Sequence, residues 1–183
     1  MRGLLLLAAL AATASAQPTD WATLTPAVGA AVPLADGFGP PWTMGAGLSA
    51  RVEAPAYGGR ARAEVRVSEY DVTDEAAPGF TLVVPTLGWG PAFEVGRARL
   101  SAGGRVGAGL FGIDDDAAGN LQNETEVAVG AWAGGAVRVG RVEVWAEADV
   151  TRLTLSDPVT LVSAGGGLAV RLDTPRWLRG ALR

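Results

Sequence analysis

Between Ala22 and Leu172 apolar and polar residues alternate. In RARAEVRVSEY, residues 60 to 70, every second position is polar: Arg60, Arg62, Glu64, Arg66, Ser68 and Tyr70. Ala61, Ala63, Val65 and Val67 stand among them. A period of two is that of a β-strand with two unlike faces. The same alternation predicts eight strands, roughly 23–33, 42–57, 60–72, 80–95, 98–113, 123–139, 142–155 and 160–172. No helical period lies between them, so neighbours are expected to pair antiparallel. Pro26, Pro85 and Pro91 fall inside strands, where a bulge or a shifted strand end is expected to absorb the lost N–H.

The connections alternate in length. Gly58-Gly59, Gly96-Arg97 and Gly140-Arg141 read as two-residue hairpins, with Gly supplying the positive φ of a I′ or II′ turn. The others, LADGFGPP, TDEAAPG, DDDAAGNLQ and SDPV, are longer and more polar. Parity supports this register. Residues flanking a two-residue turn share a face, and Val95 with Ala98, Val139 with Val142, and Tyr57 with Arg60 each fall on one face.

One face is apolar throughout. It carries Met44, Ala46, Leu48, Ala50, Val52 and Ala54 on the second strand, Val83 to Val95 at odd positions on the fourth, and similar sets on the sixth and eighth. The other face holds Arg51, Glu53, Arg62, Glu64, Arg66, Glu94, Arg99, Arg105, Glu124, Glu126, Arg138, Glu143, Glu147, Asp149 and Arg171, with many glycines between. The near balance of bases and acids suggests a paired network.

Two barrels fit this pattern. A soluble, lipocalin-like barrel would enclose the apolar face and bind an apolar ligand. Its water-facing surface would then carry strand-interior glycines, each a cost to the strand with little gain. An inside-out barrel turns the charges into a lumen that eight strands leave just wide enough for side chains to fill. Gly and Ser there make room for Arg and Glu, Trp132 and Trp145 also face inward, and the apolar face meets lipid. The expected fold is therefore an all-β, eight-stranded, antiparallel, up-and-down transmembrane β-barrel. Trp21, Trp42, Tyr70, Phe80 and Phe93, near strand ends, are expected at membrane interfaces.

The amino terminus agrees with export. MRGLLLLAALAATASA has a basic residue, a short apolar run and a small-x-small end, so residues 1–16 read as a signal peptide. The barrel then spans 17–172 and a short tail 173–183. There is no Cys, and the formal net charge of −4 does not favour nucleic acid. In the tail, Trp177, Leu178 and Leu182 alternate with Arg176, Arg179 and Arg183, as in a short amphipathic segment on a membrane surface or a frayed terminus.

Over residues 21 to 172 the strands, turn asymmetry and two faces together resemble the small eight-stranded outer-membrane barrels, the OmpA transmembrane-domain and OmpX kind. The resemblance implies long loops outside the cell, both termini in the periplasm, outer-membrane lipid around the barrel and insertion by the outer-membrane assembly machinery. It rests on architecture rather than a motif, and the chain departs from the family by not ending on an aromatic strand terminus. Barrel enzymes of similar setting, the lipid A acyltransferases and deacylases and the omptin proteases, rely on a catalytic His, and this chain has none. Glu147 and Asp149 share one face and could in principle form an acid–base pair, but pairing with Arg is the favoured reading. Asp114, Asp116 and Gly119 match part of an EF-hand loop, while Ala118 and Thr125 stand where ligands are needed. No cofactor, metal or catalytic residue is expected. The lumen network Arg51, Glu53, Arg62, Glu64, Arg66, Glu94, Arg105, Arg138, Glu147, Asp149 and Arg171 is expected to be structural. The function expected is a structural or surface-contact barrel, with a narrow channel for small solutes as the alternative inside the membrane.

Overall fold

In the computed structural model the described residues are 21–35, 37–72, 78–113 and 125–181. The signal-peptide segment, the acidic run from Asp114, Glu124, Leu182 and Arg183 lie outside them. The strands are β1 Thr23–Ala35, β2 Trp42–Met44, β3 Gly47–Ala56, β4 Gly59–Val72, β5 Phe80–Val95, β6 Ala98–Ile113, β7 Thr125–Val139, β8 Val142–Leu153, β9 Val159–Val170 and β10 Leu172–Asp173. A short helix, α1, follows at Arg176–Ala181. Each long strand pairs antiparallel with the next, and β1 pairs with β9 from Ala27↔Ala169 to Ala35↔Val162. That pairing closes the sheet into an eight-stranded barrel. The short β2 continues the path of β3 along β4, and β10 continues that of β9 along β1.

The barrel is inside out. Val28, Leu48, Leu87, Leu100, Val106, Val129, Val144 and Leu168 point outward and are exposed, while Arg51, Glu53, Arg62, Glu64, Arg105, Glu147 and Asp149 are buried within. The outward strand positions carry charge only near the long loops, at Glu69, Asp71 and Arg152. An apolar belt around buried charges suits hydrocarbon outside and ion pairs inside. Closure leaves no backbone edge to satisfy, as lipid requires. The long strands, from 10 to 16 residues, cover the roughly nine to eleven needed to cross.

Two of the three expected turns hold. Gly96 (φ 62°) and Gly140 (φ 65°) open reversals that pair Val95 with Ala98 and Val139 with Val142. The third differs. The β3–β4 turn is Tyr57-Gly58, not Gly58-Gly59, with φ of 49° and 74°. Both central residues take the left-handed region, as a I′ turn needs. Tyr57 is therefore a turn residue rather than the partner of Arg60, and Ala56 pairs with Gly59. The register so fixed sets Glu53 opposite Arg62 and Arg51 opposite Glu64.

Other expectations are corrected. The second strand breaks between Met44 and Gly47, which reverses parity, so Met44 faces the lumen instead of lipid. The prolines of β5 shift nothing. Pairing with β6 skips Val84-Pro85 and Gly90-Pro91 and resumes in the same register, because β4 pairs both prolines on the other side. A lost N–H here interrupts one ladder locally. The irregularity of β1 lies at Pro33–Ala35 rather than at Pro26.

The exterior generates a test. Val106, in the middle of β6 and 56% exposed, is expected to lose about 2–4 kcal/mol of folded stability when changed to Arg, the depth-dependent cost of a charge facing lipid. Denaturant titration of the barrel in lipid vesicles measures it. A water-facing position would change by no more than about 0.5 kcal/mol.

Candidate functional site

The lumen is the candidate site, and it has two layers. The lower layer, nearer the two-residue turns, is ionic. Glu53 of β3 is its hub and accepts hydrogen bonds from Arg60 (2.9 Å), Arg62 (2.9 Å) and Arg99 (3.0 Å). Arg99 also reaches Glu143 of β8 at 3.0 Å. Arg51 and Arg62 both donate to Glu147 across the barrel. Higher up, Arg66 donates to Asp149 (2.8 Å), Ser163 (2.9 Å) and Glu64 (3.2 Å). Arg105 donates to Asp149, to Glu64 and to Thr151.

Six arginines thus meet five carboxylates, Glu53, Glu64, Glu143, Glu147 and Asp149. The surplus cation has partial compensation. The Arg51 guanidinium lies 3.8 Å over the Trp145 ring and that of Arg62 lies 4.4 Å over Trp132. A desolvated cation over an indole face gains about 2 kcal/mol. The indoles need space, and glycine provides it. A Cβ at Gly29 would come within 2.3 Å of the Trp145 ring, and one at Gly88 or Gly103 within 2.7 or 2.5 Å of Trp132. Three lumen glycines therefore make room for tryptophan, while a Cβ at Gly130 would come within 3.0 Å of Arg105 Nε and one at Gly134 within 2.5 Å of Glu147 Cβ, as anticipated from the sequence for Arg and Glu.

The upper layer is apolar, which the alternation of charges did not reveal. Met44, Tyr70, Phe80, Leu82, Val84, Ala128 and Leu153 form one buried cluster, with Leu82 1% and Leu153 0% exposed. Phe38, from the β1–β2 connection, folds over it and makes edge contacts with Tyr70 (5.1 Å), Phe80 (5.2 Å) and Phe111 (6.0 Å). Tyr70 and Phe80 stack at 4.4 Å. These two aromatics lie inside the barrel, not at the membrane interface expected of them, since their strand parity points inward. Trp42 packs against the same cluster and donates Nε1 to the Pro78 carbonyl at 3.0 Å. Between the layers lies a cavity of about 20 Å³ bordered by Met44, Arg66, Leu82 and Arg105, room for one water.

Of the network predicted from sequence, Arg51, Glu53, Arg62, Glu64, Arg66, Arg105, Glu147 and Asp149 are brought together. Glu94, Arg138 and Arg171 are not. They lie at the turn-end mouth, Glu94 is exposed, and none joins an ion pair among the described residues, because the strands run out into solvent there. Arg60, Arg99 and Glu143 take their place. All three share the inward parity, so the face assignment already held the signal. Glu147 and Asp149 are each committed to two arginines rather than to one another. Among the described residues no group of His, Cys, Asp or Glu is arranged to hold a metal.

No family model and no curated protein matches the chain. Solved structures do. Neisserial surface protein A is 14% identical with a TM-score of 0.61, the match covering 84% of this chain and 97% of that one. OprG of Pseudomonas aeruginosa is 10% identical at 0.55, covering 87% and 100%. Ail, the attachment invasion locus protein of Yersinia pestis, is 10% identical at 0.52, covering 85% and 100%, and has also been solved with the heparin analogue sucrose octasulfate. The chain has the fold of the small eight-stranded outer-membrane barrels. Its exterior, an apolar belt around a charged lumen, is suited to lipid.

The ionic layer has a measurable stake. Arg105→Met leaves Glu64 and Asp149 each short of a buried partner and is expected to cost about 3–5 kcal/mol. The double variant Arg105→Met/Asp149→Leu is expected to lose less than the two single variants combined, which a double-mutant cycle by denaturant titration reads directly.

Proposed function

We propose that the chain is a closed, non-enzymatic outer-membrane barrel whose role is structural or lies in surface contact through its loop end. The observation that carries this reading is the double seal of the lumen: an ionic layer and, above it, a dry aromatic and aliphatic stopper, with only about 20 Å³ between. A path for solutes would need both layers to yield. This disfavours the narrow-channel alternative. The soluble, ligand-binding alternative loses its cavity, since the apolar face lies outside.

Catalysis is disfavoured on chemical grounds. The chain has no His, and each lumen carboxylate accepts hydrogen bonds from one or more guanidiniums, which occupy the oxygens that acid–base work would need. The lumen charges serve instead to fix the barrel's cross-section. Export by residues 1–16, a barrel over 17–172 with the tail 173–183, and delivery by the outer-membrane assembly machinery complete the proposal.

The loop end narrows the kind of surface partner. Its described exterior charges are Glu69, Asp71 and Asp157 against Arg152, and the connecting sequences add Asp74, Glu75 and Asp114 to Asp116. An acidic rim repels polyanions such as the heparin analogue seen with Ail. It favours cationic surfaces, or anionic ones reached through divalent cations.

Two measurements test the reading. Folded protein in the outer-membrane fraction is expected to shift on SDS gels only after boiling. In planar bilayers it is expected to be silent. Steady single-channel steps from the wild type, altered by Arg105→Ala or Glu147→Ala, would establish a channel instead.

A further inference from the structure

The two ends of the barrel carry opposite charge. At the turn end Arg97 and Arg141 occupy the exposed hairpins, Arg138 and Arg171 lie half-buried beside them, and Arg176 and Arg179 follow on α1. The described acids there are fewer: Glu94 and Asp173 are exposed, and Glu143 is buried and already bound to Arg99. None of these six arginines takes part in the lumen network.

Their height relative to the bilayer is fixed by the turns. The last outward apolar residues, Val95, Val139 and Val142, are exposed and stand one or two positions from Arg97 or Arg141. A two-residue turn leaves no spacer, so the guanidiniums begin where hydrocarbon ends. That is the level of lipid headgroups. Trp177 on α1 is 74% exposed at the same end, as suits an indole at a membrane interface. α1 itself is held to the barrel, with the Thr174 amide donating to the Ala22 carbonyl (2.9 Å) and Arg179 Nε to the Thr174 carbonyl (2.9 Å).

A groove lies beside Arg141. Leu24, Pro26, Val52 and Leu172 form its outward-facing apolar wall, Arg141 and Asp173 stand at its rim, and it encloses about 450 Å³. An apolar channel under a guanidinium at headgroup height has the shape of a glycerophospholipid: acyl chain along the wall, phosphate at the arginine. Arginine binds phosphate through two parallel N–H donors.

We propose that the turn end is a docking collar for anionic phospholipid of the periplasmic leaflet, with Arg97, Arg141 and Arg176 meeting its headgroups and the groove beside Arg141 taking an acyl chain. The occupant is anionic because, among the described residues, this end carries six arginines against two carboxylates without an ion pair, and Arg97, Arg141 and Arg176 are exposed; it is a lipid because the collar sits at the edge of the apolar belt. With the acidic loop end, the collar gives the barrel an electrostatic sense of direction across the membrane. The proposal rests on the barrel spanning the outer membrane.

The test uses the whole exported chain, refolded into micelles holding equal amounts of phosphatidylglycerol and phosphatidylcholine and examined by native mass spectrometry. The wild type is expected to retain phosphatidylglycerol in excess. The triple variant Arg97→Gln/Arg141→Gln/Arg176→Gln is expected to lower that excess about fivefold or more, the effect of removing one arginine contact of about 1 kcal/mol from each lipid. The corresponding triple Lys variant is expected to keep most of it, and Arg152→Gln at the loop end to leave it unchanged. Equal retention of both lipids by the wild type would overturn the proposal, as would an excess undiminished in the Gln variant. The heat-dependent gel shift, run on each sample, reports the folded barrel separately, so a failed collar is distinguished from a failed barrel.

Discussion

The pairing of β1 with β9 leaves the sheet without an edge, and the rest of the structure answers to it. In hydrocarbon an unpaired N–H or C=O costs several kcal/mol, so a sheet can span only when closed. Closing at eight strands sets a narrow circumference, and the lumen must then be filled by side chains. Every inward residue is chosen under that limit of volume. The indoles of Trp132 and Trp145 fit because the strands facing them present glycine, and the guanidiniums of Arg51 and Arg62 lie over those indoles.

The filling uses two materials with opposite demands. Carboxylates and guanidiniums taken out of water are tolerated only where each has partners, since one unpaired charge costs more than a typical hydrogen bond returns. Sharing meets that demand here: Glu53 serves four arginines and Glu64 three. A hub of this kind orders one side chain for several contacts. The apolar layer carries no such demand and gains from excluding water entirely. Thr151 and Ser163 lie at the boundary, where they accept hydrogen bonds from Arg105 and Arg66 and border the small cavity with Leu82.

Much of this was legible in the sequence, for a physical reason. Alternation over long strands identifies both faces at once, and the face that carries the charges cannot be the one that meets lipid. Turns at Gly96 and Gly140 were legible because glycine opens them. The turn at Tyr57-Gly58 was not, because a non-glycine residue took positive φ and the adjacent Gly59 offered a false alternative. Met44 was misplaced because two residues between β2 and β3 leave the ladder, and one change of parity reverses a face. The stopper stayed hidden for a different cause. Apolar residues on an inward face, such as Leu82 and Val84, look the same in sequence as apolar residues on an outward one, and only register with Leu153 and Phe38 brings them together. Glu94, Arg138 and Arg171 show the converse: correct parity does not ensure burial when a position lies at the end of its strand.

The order of the two layers along the axis bears on what the barrel can do. Water entering from the turn end meets guanidiniums and carboxylates that can hydrogen-bond to it. Water entering from the loop end meets Phe38 over Tyr70, Phe80 and Phe111, which offer it few hydrogen bonds. On the proposed reading the apolar layer is the drier half of the seal, and the ionic layer also fixes the cross-section. With the interior committed in this way, the surfaces left free to meet anything else are the belt, the acidic loop end and the basic turn end. Under the surface role proposed above, the function lies in how those surfaces differ.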